Sequence, residues 1–406
     1  MEPRPLRIGF ISMHTSPIDV PGSGDAGGMN VVELAQAHAL AGLGHHVDLV
    51  TRRGAPGTPG RTDLEAGVSL HCVTAGPTQR LAKSAIDEHI EEFSAGLDVV
   101  ARARGWDVIH SHHWMSGVAA LPVARALGIP HVQSFHSVAA HPGKPLSEGE
   151  PPESPRRVAG EDQVATESDA VAAISAAEAR TAVERCGADP DHVVIIGPGV
   201  DHETFRPLRP GEQRPAFGTG DNGYLLFAAR LQPLKAPDLA LRALAHVEKW
   251  VRPHLVVAGD TSADFAEYAG ELTGLVRRLG LEDDVTFIGP QSRGDLATLL
   301  RGARIVLVPS HSETFGLIAL EAAASGVPVL ASAAGGLREA VAHRETGQLI
   351  DSREPDQWGR AITELLTTPG LIERMGTVSR IHSRRFEWWW AARRLACLYA
   401  DLGAGG

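Results

Sequence analysis

Short apolar runs with strand character alternate with helical stretches along nearly all of the 406 residues, and that alternation leaves few folds open. Strands are expected at Leu6 to Ser12, His46 to Thr51, Val68 to Val73, Asp107 to Ser111, His131 to Phe135, Ala170 to Ser175 and Val193 to Ile196. A second series follows at Tyr224 to Ala228, His254 to Ala258, Val285 to Ile288, Ile305 to Pro309 and Val327 to Ala331. A parallel neighbour is reached only through a connection long enough to hold a helix, so this rhythm specifies α/β architecture with parallel sheets. Between the two series, Arg206 to Gly223 is rich in Pro, Gly and polar residues and carries neither period. The chain also exceeds the roughly 250 to 300 residues at which one core stops growing. Two doubly wound, Rossmann-like domains are therefore expected, at residues 1–205 and 224–383, with 206–223 as linker and 384–406 as a terminal helix. Such sheets bind ligands beyond the carboxyl ends of their strands, in a crevice on which both domains converge.

Composition narrows the partners. A net charge of −11 argues against nonspecific nucleic-acid binding while leaving room for a local basic cleft. No segment approaches the roughly 20 apolar residues of a membrane span, and the first residues do not resemble a signal peptide. Cys72, Cys186 and Cys397 are odd in number, far apart and without metal-ligand spacing, as expected of buried free thiols in a reducing cytoplasm. Small-molecule substrates are the expected partners, and a homodimer is left open.

Four motifs sit at strand ends. Glu313-Thr314-Phe315-Gly316-Leu317-Ile318-Ala319-Leu320-Glu321 follows the strand at Ile305 and opens a helix, whose unpaired N–H groups and positive dipole end suit a phosphate. Glu321 falls inside that helix beside its apolar face, where it needs a polar partner. Arg230 and Lys235 leave the strand Tyr224 to Ala228 together, in outline a diphosphate clamp. Pro21 to Asn30 holds Gly27 and Gly28 at a strand–loop–helix junction, where glycine lets backbone approach a ligand, although it is neither a dinucleotide fingerprint nor a P-loop. His136 closes the strand His131 to Phe135 at its carboxyl end. The chain's one Asp-x-Asp, Asp189-Pro190-Asp191, precedes a strand and suits a turn or cap better than a metal. No metal site is expected.

Together the Gly-Gly-Met-Asn loop, the Arg-x4-Lys pair, the Glu-x7-Glu motif and Ala334-Gly335-Gly336-Leu337 resemble family 4 of the retaining glycosyltransferases, which have the two-domain GT-B fold. The resemblance spans nearly the whole chain. Within that family Ile11 to Pro17, Gly24 to Asn30, His110 to Trp114 and Pro152 to Ser154 are most similar to the inositol 3-phosphate glycosyltransferases of mycothiol biosynthesis. The resemblance implies transfer of a sugar, N-acetylglucosamine from UDP-GlcNAc, to 1D-myo-inositol 3-phosphate or a similar small polar acceptor. It implies His136 beside the reacting sugar, with Arg230, Lys235 and Glu313 completing the catalytic set. It places Gly27, Gly28, Phe315, Gly316 and Leu317 with the donor, Glu313 on the sugar hydroxyls and Glu321 on the ribose. The departing phosphate would itself take the acceptor proton, so no nucleophile or cofactor is required, and Mg2+ would enter only beside a phosphorylated acceptor. On the acceptor side it implies Asn30, Lys83, Ser137 and one of Arg156 and Arg157. His113 departs from the pattern, standing where those enzymes have a tyrosine. That change leaves a runner-up for the substrate, an antibiotic-pathway enzyme using another nucleotide sugar, such as one S-glycosylating ergothioneine in lincosamide assembly. A nonhydrolysing sugar-nucleotide epimerase and a noncatalytic sensor rank lower. Phe386 to Tyr399 reads as a buried helix, with Trp388, Trp389 and Trp390 expected in core or interdomain packing in preference to a recognition patch, and the resemblance has that helix pack back on the first domain. The five prolines of His141 to Pro155 exclude regular structure and suit either a lid over the acceptor or a plain surface loop.

Overall fold

The computed structural model describes residues 4–22, 25–139, 155–217, 222–261 and 265–405. The first series of strands comprises β1 (Arg7–Ser12), β2 (His46–Arg52), β3 (Arg61–Glu65), β4 (Val68–Val73), β5 (Val108–His112), β6 (His131–Ser134), β7 (Ala170–Ala173) and β8 (Val193–Ile195). They form one sheet in the order β3-β4-β2-β1-β5-β6-β7-β8, parallel except where β3 runs against β4. The second comprises β9 (Tyr224–Ala228), β10 (His254–Ala258), β11 (Val285–Gly289), β12 (Ile305–Val308), β13 (Val329–Ser332) and β14 (Gly347–Ile350). These pair in parallel throughout, in the order β11-β10-β9-β12-β13-β14. Each order reverses beside its first strand, which opens a crevice at β1/β5 and another at β9/β12.

Helices cover both faces of each sheet, so the central strands are apolar on both sides: Ile8, Phe10 and Leu49 against Ile11, Val50 and Ile109 in the first, and Leu225 and Leu330 against Leu226, Val256 and Val306 in the second, are all buried. The antiparallel edge β3 escaped the sequence reading because Arg-Thr-Asp-Leu-Glu carries almost no apolar residue; it is an exposed edge held by its pairing with β4. The segment 206–217 carries no helix or strand. Glu212 in it is gripped by Arg206 and Arg301, which ties the segment to the helix Arg293–Gly302. The proline-rich stretch lies, as far as residue 154, outside the described residues.

The helix Trp388–Asp401 returns to the first sheet. Ala391, Ala392, Leu395, Leu398 and Tyr399 enter the core built from Leu6, Ile8, Phe10 and Leu49. The tryptophan run departs from expectation: Trp388 is half-buried, but Trp389 and Trp390 are 43% and 52% exposed and stack on each other 4.0 Å apart. Successive helical residues point about 100° apart, so three in a row cannot share one buried face, and here the alanines and leucines hold it. Cys397 is likewise exposed on this helix, Cys72 is half-buried and only Cys186 is buried; all three are free.

Candidate active site

Past β12 the chain turns through Glu313 into the helix Leu317–Ala324. Gly316 caps that helix at φ 98°, a conformation strained for any residue with a Cβ, and a Cβ there would lie 2.5 Å from Leu337 Cδ2. Gly335 and Gly336 come closer still: a Cβ on them would sit 2.1 and 2.2 Å from the carbonyl oxygens of Glu313 and Thr314. The Gly-Gly turn is therefore the buttress of the Glu313 loop, and Gly336 N–H donates to Glu313 O at 2.9 Å. Held this way, the Glu313 carboxylate accepts from Lys235 Nζ at 2.6 Å and from Ser310 Oγ at 3.3 Å. Arg230 leaves β9 toward the same place, 3.7 Å from Asp25 of the other domain, and burial lowers the pKa of its guanidinium. Glu321, 4% exposed, takes a hydrogen bond from Arg293 at 2.6 Å; burial raises its pKa and Arg293 opposes the rise.

The opposite wall comes from β1, β5 and β6. Gly27 and Gly28 start the helix Gly28–Gly42; a Cβ on Gly27 would lie 3.5 Å from Arg230 Nε, and one on Gly28 3.4 Å from Leu317 Cδ1. His136 follows β6 at φ 58°, with its carbonyl accepting from Thr314 Oγ1 at 2.9 Å across the cleft. Burial pushes its imidazole down to about 3, and its Nε2 lies 2.8 Å from His112 Nδ1. Beneath this turn Glu178, also buried, accepts from Ile174 N–H at 2.7 Å, and burial pushes its carboxyl up to about 7.

A second cluster lies beside His136. His113 caps the helix Trp114–Leu127 at φ 72°, is 2% exposed, and has both ring nitrogens without a partner. Its ring packs 4.2 Å from that of His14. Burial, then the charges of Lys83 and Arg157, hold both imidazoles well below their ordinary pKa; Arg230 acts on His14 as well. Arg157 is buried, donating to Ser137 Oγ at 3.2 Å and to the fully buried Glu161 at 2.8 Å. Arg156 turns outward to Glu91 at 3.0 Å.

Comparison with known proteins gives the family. Residues 27–199 match the glycosyl transferase 4-like domain and residues 211–381 the glycosyl transferases group 1 domain. A D-inositol 3-phosphate glycosyltransferase of Stackebrandtia nassauensis is 40% identical over 98% of this chain and 92% of its own length. The chain belongs to the group 1 glycosyltransferases. Its fold is GT-B: sucrose-phosphate synthase from Thermosynechococcus elongatus superposes with a TM-score of 0.90 at 27% identity, over 99% of this chain and all of that one. HepE of Anabaena, solved with UDP and glucose, superposes at 0.75 with 20% identity over 98% of this chain and all of that one, a likeness of fold alone.

In this glycosyltransferase the structure brings Gly27, Gly28, Arg230, Lys235, Glu313, Gly316 and Leu317 to one cleft with His136, and Lys83, His113, Ser137 and Arg157 beside it. Other expected site residues sit differently. Phe315 is buried against Phe386, so only its backbone faces the helix end. The carboxamide of Asn30 is spent inside the protein, accepting from Gly27 N–H and donating to Thr15 Oγ1 and Ser16 O, and so shapes the loop; an acceptor contact would have to displace one of these. Arg156 lies on the exposed side of its helix. Asp189 accepts from Asp191 N–H at 3.0 Å, the cap its sequence suggests. Among the described residues no cluster of His, Cys, Asp and Glu could hold a metal, and no helix is long and apolar enough to cross a membrane. The sequence reading missed Thr314, Glu161, Glu178 and Arg293. The last three had weak signals: Glu161 lies four residues from Arg157 on one helix, Ser175 and Glu178 have capping-box spacing, and Arg293 opens the helix before β12.

Proposed function

We propose that this glycosyltransferase moves a sugar from a nucleoside diphosphate to a small phosphorylated polyol with retention at the anomeric carbon, and that the pair is UDP-GlcNAc and 1D-myo-inositol 3-phosphate. The carrying observation is the pairing of two cationic groups across one cleft: Arg230 and Lys235 on the donor wall, Lys83 and Arg157 with Ser137 on the other, and His136 between them. Fixed cations are worth most where charge accumulates in the transition state, here on the leaving diphosphate. The identity to enzymes named for inositol 3-phosphate supports the acceptor. Retention is supported by Glu313 being bound to Lys235, which suits a role gripping donor hydroxyls better than attack on carbon, and leaves the departing phosphate to take the acceptor proton. Free thiols and a nucleotide-sugar donor favour the cytoplasm.

One observation favours the second reading, transfer to an unphosphorylated acceptor such as the thiol of ergothioneine. His113 is sealed and neutral where a phosphate-binding tyrosine hydroxyl is expected, and a neutral imidazole is the weaker anion ligand. The two separate on one experiment, a panel of uridine and guanosine diphosphate sugars with inositol 3-phosphate and ergothioneine, followed by mass spectrometry. For a phosphorylated acceptor, Lys83→Ala should raise the acceptor KM by roughly ten- to a hundredfold, the loss of one charge-assisted contact, with donor binding unchanged. Product from ergothioneine with none from inositol 3-phosphate would replace the first reading by the second. Turnover is also expected to continue in excess EDTA, because Arg230, Lys235 and the helix end at Gly316 supply the charge a metal would otherwise bring. Full loss restored by added magnesium would overturn that expectation.

A further inference from the structure

Behind His136 stands a second imidazole whose part in the site the motifs leave open. His112 Nδ1 and His136 Nε2 lie 2.8 Å apart, with ring centroids 5.1 Å apart and planes 20° from parallel, the edge-to-edge arrangement of an in-plane hydrogen bond. Between two neutral imidazoles that contact holds a single proton, so one ring donates and the other accepts. His112 is fully buried and its Nε2 has no hydrogen-bond partner. Were His136 the donor, the proton of His112 would sit on that sealed Nε2 as a donor with no acceptor. With His112 as donor, Nε2 carries only a lone pair, and buried acceptors go unpaired more readily than buried N–H groups.

Ring rotation cannot relieve the choice. On the far side of His112 lies His110, stacked at 4.5 Å and 21°, with Phe10 at 4.8 Å. His110 is itself fixed at both nitrogens: Ser134 Oγ gives its proton to Ala172 O and so accepts from His110 Nε2, while the Tyr399 hydroxyl, 2.6 Å away, donates to Nδ1. The terminal helix thus holds the stack from behind.

We propose that His112 is a positioning residue that donates its Nδ1–H to His136 Nε2, keeps the proton of His136 on Nδ1, and so makes His136 a hydrogen-bond donor to the substrate and not a proton acceptor. His136 Nδ1 has no protein partner among the described residues and is the ring nitrogen left for a ligand. An N–H there suits an oxygen of the donor sugar or its phosphate, and a bare nitrogen would suit a hydroxyl proton. The part played toward substrate rests on the function proposed above; the position of the proton does not.

The test is nitrogen NMR of the imidazoles in the full chain without ligand. The expected signature is His136 protonated at Nδ1 and bare at Nε2. Two near-isosteric variants extend it. In His112→Asn the side-chain amide can still donate, so the His136 signature should persist and kcat stay within about threefold. In His112→Asp the carboxylate can only accept, so the proton should move to Nε2 and kcat fall at least about tenfold, with the nucleotide-sugar KM little changed. A purely structural residue would treat the two variants alike. Protonation of wild-type His136 at Nε2, or one signature shared by both variants, would overturn the proposal, and the wild-type spectrum decides even if the Asp variant does not fold. The expected signature in a protein that transfers no sugar from any donor would support the tautomer and sink the proposed function.

Discussion

Replacing Lys235 or Arg230 by alanine is expected to lower kcat/KM at least about a hundredfold, roughly 2.7 kcal/mol of transition-state stabilisation. The two side chains reach this through different local partners. Lys235 neutralises Glu313 at 2.6 Å with both side chains mostly buried, so its loss removes the cation proposed to face the diphosphate and also leaves the carboxylate with Ser310 Oγ in place of a charged partner. Arg230 lies 3.7 Å from Asp25, a looser pair in which the carboxylate is less dependent on it. Lys235→Ala should therefore also weaken donor binding, while Arg230→Ala should act mainly on kcat. Steady-state kinetics with isothermal binding of the nucleotide diphosphate would separate the two, with circular dichroism to confirm folding. Near-native turnover in either folded variant would remove the clamp from the mechanism.

The second large effect is on stability in acid. Burial holds His14, His110, His112, His113, His131 and His136 below their ordinary pKa, with His131 and His136 down to about 3. In the unfolded chain each takes a proton near pH 6.5, so the unfolded state binds more protons between that value and the folded one. Their stabilising contribution is complete above pH 6.5 and is lost as pH falls toward 3. Glu33, Glu161, Glu178 and Glu321 act in the opposite sense, because burial raises their folded pKa and acid favours the folded state. That gain ends once pH drops below the unfolded carboxyl value near 4.5, whereas the histidine loss goes on growing. At pH 4, His131 and His136 alone cost roughly 3 kcal/mol each, comparable together with the whole stability of a typical domain. Stability should thus begin to fall as pH drops below about 6.5, with the carboxyls offsetting part of the loss, and collapse below about 4.5. Thermal unfolding across that range tests this, and a cooperative fold with unchanged Tm at pH 4 would refute it. His131→Gln, which can keep the hydrogen bonds to Ser111 and Ser168, should move the collapse to lower pH.

What the amino-acid order carried by itself was the part of the fold with strong local periodicity. Fully buried parallel strands such as Ile305 to Val308 are continuous apolar runs and announce themselves, and the turns after them collect glycine and charge because backbone and ligand must meet there. For the same reason Arg230, Lys235, Glu313 and His136 could be picked out from the sequence as candidates, and the structure brings them to one cleft. Strands without that signal were not legible: β3 is polar and exists through its pairing with β4, and β14, Gly-Gln-Leu-Ile, is only half apolar and only partly buried.

Direction and hydrogen-bond satisfaction were beyond the sequence, since both depend on groups remote along the chain. Adjacent arginines are equal on paper, yet Arg157 turns in because Glu161 and Ser137 receive it and Arg156 turns out to Glu91. Three adjacent tryptophans share one hydropathy, yet only the core-facing sector of their helix is covered. Asn30 has the chemistry of a ligand residue, but its loop folds back to consume it. The pairing of His112 with His136, 24 residues apart, and of His110 with Tyr399, 289 apart, follows from neighbouring parallel strands and a returning terminal helix. Local periodicity specifies which elements form and where ligands meet them; the sealing of each polar atom, and with it the protonation of the site, is a property of the packed tertiary structure.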